Sequence, residues 1–346
     1  MRIVTRKQHI AFEAAQAVPL QAGKRIRTLN DLHNLLSLAT FSPNHAAFID
    51  SLDIILLSAF LPSALRATLA SLPNLTDLIL IAPRLRNPVA LRGIHLPQLQ
   101  YFRTDLSHVI LTNFLAAHPH IMNLDLVGNS RHCDVPCPLQ EVDFRATKSL
   151  SGPACCAVQI APSGLTRLTM DLEGSSTGPT HPLRMLDPPL PGLYALIVDI
   201  RDDDYNILDE IARACPSVRK LKLIEKPLTK NGDTLPRCPC EDPCIWSEAL
   251  KRLEVLEELL FRTSALLVRR AGDWNEEFKL VMSWVNGARR PRSRAHVRPH
   301  PKLYHIGIWY GGPAGGGCVT HWSKPYRSQW ERAVSIVNPP ADHLFI

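Results

Sequence analysis

The sequence predicts an α/β solenoid, a right-handed horseshoe with an inner parallel β-sheet and outer helices or loops. Three observations predict it. A phrase of the form P-x-L-x-x-L-x-L returns along most of the 346 residues. Its middle apolar residue falls at 52, 78, 102, 124, 142, 168, 196 and 221, in steps of 18 to 28 residues. Segments able to form helices lie between the returns. A repeat of this length is one strand plus one return, which cannot bury its apolar face alone and must stack on neighbours.

The elements follow in order. Ile49–Ile54 opens the array, Leu72–Leu80 gives the fullest early copy, and Leu96–Phe102, His118–Leu126, Cys137–Phe144, Leu165–Met170, Leu190–Val198 and Cys215–Leu223 continue it. Two late copies, Leu256–Phe261 and His300–Ile308, complete it. In each, the L-x-L pair points to one side of a short strand, the earlier apolar residue fills the bend, and proline fixes the entry. Helices are expected at Pro62–Ser71, Val109–His118 and Tyr205–Cys215, the last with Asp204 as N-cap and Ile207, Leu208 and Ile211 as its stripe.

After Leu223 the pattern is interrupted twice. Lys230–Trp246, rich in Pro, Cys and Asp, is expected to be a surface loop. The second interruption holds a helix: Asp273 and Glu276 form its capping start, Trp274, Phe278, Val281, Met282 and Val285 its stripe, and Gly287 its C′ residue. Gly311–Gly317 reads as a turn and Gln329–Ser335 as a short terminal helix. The organisation expected is residues 1–28 as an N-terminal extension or cap and 29–320 as the solenoid, with insertions near 227–250 and 265–300. Residues 321–346 are expected to form a C-terminal cap.

Composition narrows the function classes. With 45% hydrophobic and 21% charged residues the chain can bury a core, so it is not a disordered polymer. A net charge of +7 over the whole chain is too small to demand a polyanionic partner. The amino terminus is broken by charge at Arg2, Arg6 and Lys7, and the most apolar window, 51–72, contains Asp53, Pro62 and Arg66; neither an export signal nor a membrane span is expected. The nine cysteines are then expected to be mostly reduced thiols, in a cytoplasmic or nuclear setting.

Ile121–Asn129 fits the full L-x-x-L-x-L-x-x-N signature, and the other copies lack the Asn. With the H-P-x-[IL]-x-x-L-x-L phrases and the irregular spacing, the chain resembles the degenerate leucine-rich-repeat portions of fungal F-box-like proteins over roughly residues 30–320. The resemblance implies a non-enzymatic protein-interaction module, the substrate-recognition part of a ubiquitin-ligase receptor, binding a protein on its concave strand face. Residues 1–28 carry no L-P-x-E-[IL] phrase of an F-box, so docking on a cullin-ligase adaptor is not assigned to this chain.

Alternation along the strands nominates the binding residues: Asp77, Arg103, Asp105, Asp125, Asp143, Arg167, Asp171, Asp199, Lys220, Lys222, Arg262 and Trp309, an acidic middle passing to a basic end. The other reading of each is ordinary solvation of a strand face. Arg289, Arg290, Arg292 and Arg294 form a dense basic run, which supports an alternative function as a nuclear nucleic-acid- or chromatin-associated protein and also suits an import signal or a solvated loop. Cys238, Cys240 and Cys244 lack the second ligand pair of a structural zinc site, so no metal is expected there. No G-x-S-x-G, H-E-x-x-H or P-loop ending occurs; no catalytic residue and no cofactor is assigned. His118 and His300 precede repeat prolines and read as turn residues.

Overall fold

The computed structural model describes residues 24–337 apart from 59, 129–135, 173–180, 202–203, 205, 227–242, 264–266, 268–272, 288–297, 311–316 and 326–328. The chain divides into two compact units, Met1–Ile121 and Met122–Ile346. In both, strands pair in sequence order, so the fold class is the α/β leucine-rich-repeat solenoid that the recurring phrase predicts.

The first unit holds β1 (Lys24–Ile26), β2 (Ser51–Ile55), β3 (Asp77–Ile81) and β4 (Tyr101–Thr104), each parallel to the next. Leu52, Leu78 and Phe102 stand side by side in register, as do Ile54, Leu80 and Thr104, and all six are buried. The returns are α1 (Leu29–Phe41), α2 (Pro43–Ala46), α3 (Pro62–Ala70) and α4 (His108–Ala116). Phe114 of α4 meets Phe102 of β4 with ring centroids 5.1 Å apart, so the helices cover the core side of the strands.

Helix α1 starts on a capping box. Thr28 Oγ1 accepts from the Asp31 N–H at 3.1 Å, and Asp31 Oδ2 accepts from the Thr28 N–H at 3.0 Å. The carboxyl of Asp31 is held below its ordinary value by the Thr28 side chain and the backbone donors. Thr28→Ala removes one half of the box and is expected to destabilise this unit by about 1 kcal/mol, read as a lower urea midpoint.

The second unit continues with β5 (Asn123–Leu126), β6 (Ser149–Pro153), β7 (Arg167–Asp171), β8 (Ala195–Ile200), β9 (Lys220–Glu225), β10 (Glu258–Thr263) and β11 (His305–Tyr310), all parallel. Then β12 (Gly317–Ser323) and β13 (Glu331–Val337) turn back as an antiparallel pair on β11. Among the described residues the α-helices of this unit are α5 (Ala154–Ile160), α6 (Ile207–Ala214), α7 (Pro243–Arg252) and α8 (Trp274–Asn286). Trp246 of α7 packs on Phe261 of β10 at 5.5 Å and on Trp284 of α8 at 5.2 Å.

One backbone feature recurs at the strand entries. The carbonyl just before a strand accepts two successive N–H groups from the next repeat: Asp50 from Thr76 and Asp77, Thr76 from Gln100 and Tyr101, Met122 from Lys148 and Ser149, and so on to Glu257 from Tyr304 and His305. Ahead of each lies a tight turn, Leu75 N–H to Leu72 O, Leu99 to Leu96, Thr147 to Phe144, Leu193 to Leu190, Val218 to Cys215. These two nodes define the repeat independently of side-chain identity.

They also correct the expectation at Cys137–Phe144. The sixth strand is Ser149–Pro153, and Pro138–Glu141 is a 3-10 turn. In this repeat Phe144 opens the turn, Arg145 stands where the other turns named above have Pro, and buried Thr147 fills the bend where they have Leu or Val, so Cys137–Pro138–Leu139 imitates the phrase one return too early. The Gln329–Ser335 helix is likewise corrected. Glu331–Val337 is strand β13, because seven residues of β12 pair with it and supply the backbone partners that most residues of so short a helix would lack. Helix α8 has its predicted ends, Asp273 accepting from the Glu276 N–H and Gly287 at φ 88°, but it buries Glu277, Val281, Trp284 and Val285 and leaves Trp274 and Phe278 part-exposed. Helix α6 is flanked by Asn206 rather than Asp204, which instead accepts from the Arg201 N–H. Helix α7 takes up the end of the expected 230–246 loop and buries Trp246.

Candidate binding face of the strand ladder

Alternation separates each strand into a core side and an outer side, and the nominated residues divide between several environments. In the first unit Asp77 and Arg103 are half-buried on the outer side of β3 and β4. Asp105 lies past the end of β4, where its Oδ1 accepts the Ala82 N–H at 2.7 Å and burial pushes its carboxyl above the ordinary value. The same device recurs in the second unit. Asp199 on β8 is 4% exposed, its Oδ2 accepting the Leu172 N–H at 3.1 Å and lying 3.2 Å from Lys226 Nζ. Asp105 and Asp199 therefore fasten the exit of the preceding strand, and their carboxylates are turned to backbone rather than presented for binding.

Asp125 on β5 and Arg167 and Asp171 on β7 hold outer positions, half-buried, exposed and half-buried in turn. Asp143 does not. It follows the 3-10 turn, accepts the Arg145 N–H, and lines an open hollow of about 450 Å³ with Phe144, Ile160 and Ser163. That displacement follows from the strand correction: with Ser149–Pro153 as β6, register places Ser151 beside Asp125.

The expected basic end is a mixed-charge cluster. Lys220 Nζ lies 3.1 Å from Glu258 Oε1, and Arg219 Nη1 3.2 Å from Glu257. Glu258 is held down to about 2 by the His305 ring and by Lys220, against the opposing pull of burial. Register then sets Ile224, Arg262, Trp309 and Val319 in one outer row and Leu260, Gly307 and His321 in the next. Arg262 Cζ sits 4.4 Å from the centre of the Trp309 ring and Lys222 Nζ 5.9 Å from it, a cation–π arrangement on rigid strands. Lys222 and Trp309 are both buried, and half-buried Arg262 is the member of the cluster open to solvent. Gly307 permits this packing, since a Cβ there would stand 2.3 Å from Leu260 Cδ2.

Glu258, His321 and Ser335 belong to the same surface; Glu258 lies within the Leu256–Phe261 copy, and the other two escape the repeat pattern because the antiparallel strands that bring them carry no L-x-L phrase. Alternation within Cys318–Ser323 was the signal available. His118 and His300 are buried turn residues. His118 Nε2 accepts from Leu96 N–H, His300 Nδ1 accepts from Leu303 N–H, and burial pushes both below the ordinary value.

Arg289, Arg290, Arg292 and Arg294 lie outside the described residues, as do Cys238 and Cys240; Cys244 is on α7. Cys155 is disulfide-bonded, while Cys137, Cys156, Cys215, Cys244 and Cys318 are not part of a disulfide. Cys156 titrates well above its ordinary value because Cys137 hydrogen-bonds to it and because it is buried. Among the described residues no helix is long and apolar enough to cross a membrane.

No family model matches the chain, and no curated protein matches it. Among solved structures it is similar to the leucine-rich-repeat-containing protein LegL7 from Legionella pneumophila, with a TM-score of 0.42 and 19% identity over 64% of this chain and 76% of that one.

Proposed function

We propose that the chain is a non-enzymatic protein-binding module that takes its partner on the outer face of the strand ladder. The observation that carries the reading is the Arg262–Trp309–Lys222 cluster, with the Lys220–Glu258 pair beside it. Tryptophan and arginine held on rigid elements are the residue types that concentrate binding energy in protein interfaces, and surrounding charges select the partner by complementarity. The resemblance of the repeat phrases to those of fungal F-box-like proteins supports the narrower role of a ubiquitin-ligase substrate receptor.

Proximity labelling with the full chain and with Arg262→Ala tests both. Proteins labelled by the wild type and lost from the variant are the partners of this face. For such a partner, truncating Arg262 is expected to weaken binding by about 2 kcal/mol, roughly thirtyfold, and Asp125→Lys to weaken it without loss of fold. An unchanged labelled set in both variants would remove the outer ladder face from consideration. Cullin-ligase components in the wild-type set support the receptor role, and a partner set without them leaves a scaffold.

A further inference from the structure

Beside that cluster, four strands of the second unit bring a second group of side chains into line. His305 on β11 and His321 on β12 face each other with Nε2 and Nδ1 3.2 Å apart and ring planes 11° from parallel. Each ring has a polar neighbour on its far side: His305 Nδ1 lies 3.9 Å from the Glu258 Oε2 carboxylate oxygen on β10, and His321 Nε2 lies 3.0 Å from Ser335 Oγ on β13. We propose that this pair is a binding site for a divalent d-block cation of the imidazole-preferring kind, such as Zn²⁺, Ni²⁺ or Cu²⁺.

The chemistry follows from the nitrogens. A neutral imidazole bears one proton, and the ring nitrogen without it is the metal ligand. With the Glu258 carboxylate facing His305 Nδ1, the proton belongs there and the Nε2 lone pair points at His321. Without metal, His321 donates its Nδ1–H to that lone pair. On binding, the His321 proton moves to Nε2, where Ser335 Oγ accepts it, so both inner nitrogens become ligands and no proton is lost from the pair. Two nitrogens bound at 2.0–2.1 Å with tetrahedral angles stand about 3.3 Å apart, which the observed spacing already matches. Glu258 supplies the carboxylate that commonly orients a ligating histidine from behind, and Lys220 and Tyr304 in turn hold Glu258 at 3.1 and 3.2 Å. His305 and His321 are both half-buried rather than enclosed, so water reaches the remaining coordination positions.

The site shares Glu258 and Lys220 with the protein-binding face, but its two ligands, His305 and His321, are no part of the Arg262–Trp309 cluster, so failure of the site would leave the protein-binding reading standing. The test is titration of the full chain with Ni²⁺ by calorimetry, thiols alkylated, comparing wild type with His305→Ala, His321→Ala and Glu258→Gln. One equivalent present in the wild type is expected to weaken at least tenfold in either histidine variant and about tenfold in Glu258→Gln. Cu²⁺ added to the wild-type chain is expected to show electron-paramagnetic-resonance hyperfine splitting from two imidazole nitrogens. That reading does not depend on how any variant folds. Unchanged Ni²⁺ binding in both histidine variants, or a Cu²⁺ spectrum without imidazole nitrogen, would overturn the site.

Discussion

Trp246→Ala is expected to destabilise the second unit by about 3–5 kcal/mol. Trp246 is 1% exposed and joins three elements, meeting Phe261 on β10 and Trp284 on α8 from its own place on α7. The two helices sit in the long returns between β9, β10 and β11, where the repeat steps are longest. Removing the indole leaves a cavity that Phe261 and Trp284 cannot both fill, because each is anchored on a different element. A contrasting variant sharpens the expectation. Trp284 is fully buried and its Nε1 has no hydrogen-bond partner among the described residues. Trp284→Phe removes an unsatisfied donor along with part of the ring, so it is expected to lose markedly less than Trp246→Ala. Urea unfolding followed by far-ultraviolet circular dichroism measures both. A Trp246→Ala loss under about 1 kcal/mol would mean that α7 and α8 do not dock on the strands through this cluster.

The sequence made the parallel strands legible wherever two leucines alternate ahead of a polar residue, because burial on one side imposes that pattern whatever the loop between. It failed where other groups do the same work. Strand β6 carries one Leu in Ser149–Pro153, and its bend is filled by Thr147, so the strongest local phrase pointed eight residues upstream. Strand β1 offers a single buried residue, Ile26, and shows itself only through pairing with β2. The outer rows were partly legible: in-register parallel strands put Lys222, Arg262 and Trp309 close together, and alternation named all three. Parity alone does not separate presented side chains from fastening ones: Asp105 and Asp199 stand among the alternating positions, yet their carboxylates accept the Ala82 and Leu172 N–H groups. His321 and Ser335 arrive on antiparallel strands whose partners no repeat period specifies.

Asp199→Asn is expected to change the pH dependence of stability more than any other single substitution. Burial, and next the neighbouring Asp171 carboxyl, push Asp199 up to about 7, while Lys226 and the Leu172 N–H pull against them. An unfolded aspartate titrates near 3.9. Between those two values the folded chain keeps a proton that the unfolded chain has released, so stability falls as pH rises from about 4 to about 7 and stays reduced above. A shift of about three units at 1.36 kcal/mol each sets a ceiling of roughly 4 kcal/mol on that loss. Asparagine can still accept the Leu172 N–H through its amide oxygen and has no charge to bury, at the expense of the Lys226 ion pair. The variant should therefore resemble the wild type most closely near pH 5 and gain on it by about 2–4 kcal/mol toward pH 8. Buried His181 bonds the Asp199 carbonyl and titrates below its ordinary value, so it acts in the opposite sense, adding stability as pH rises toward 6.5. Because His181 is present in both proteins, the difference between their urea-unfolding free energies at pH 5, 6, 7 and 8 isolates Asp199. Parallel curves for the two proteins would show that the carboxyl is already ionised at pH 5 and that Lys226, not burial, governs its charge.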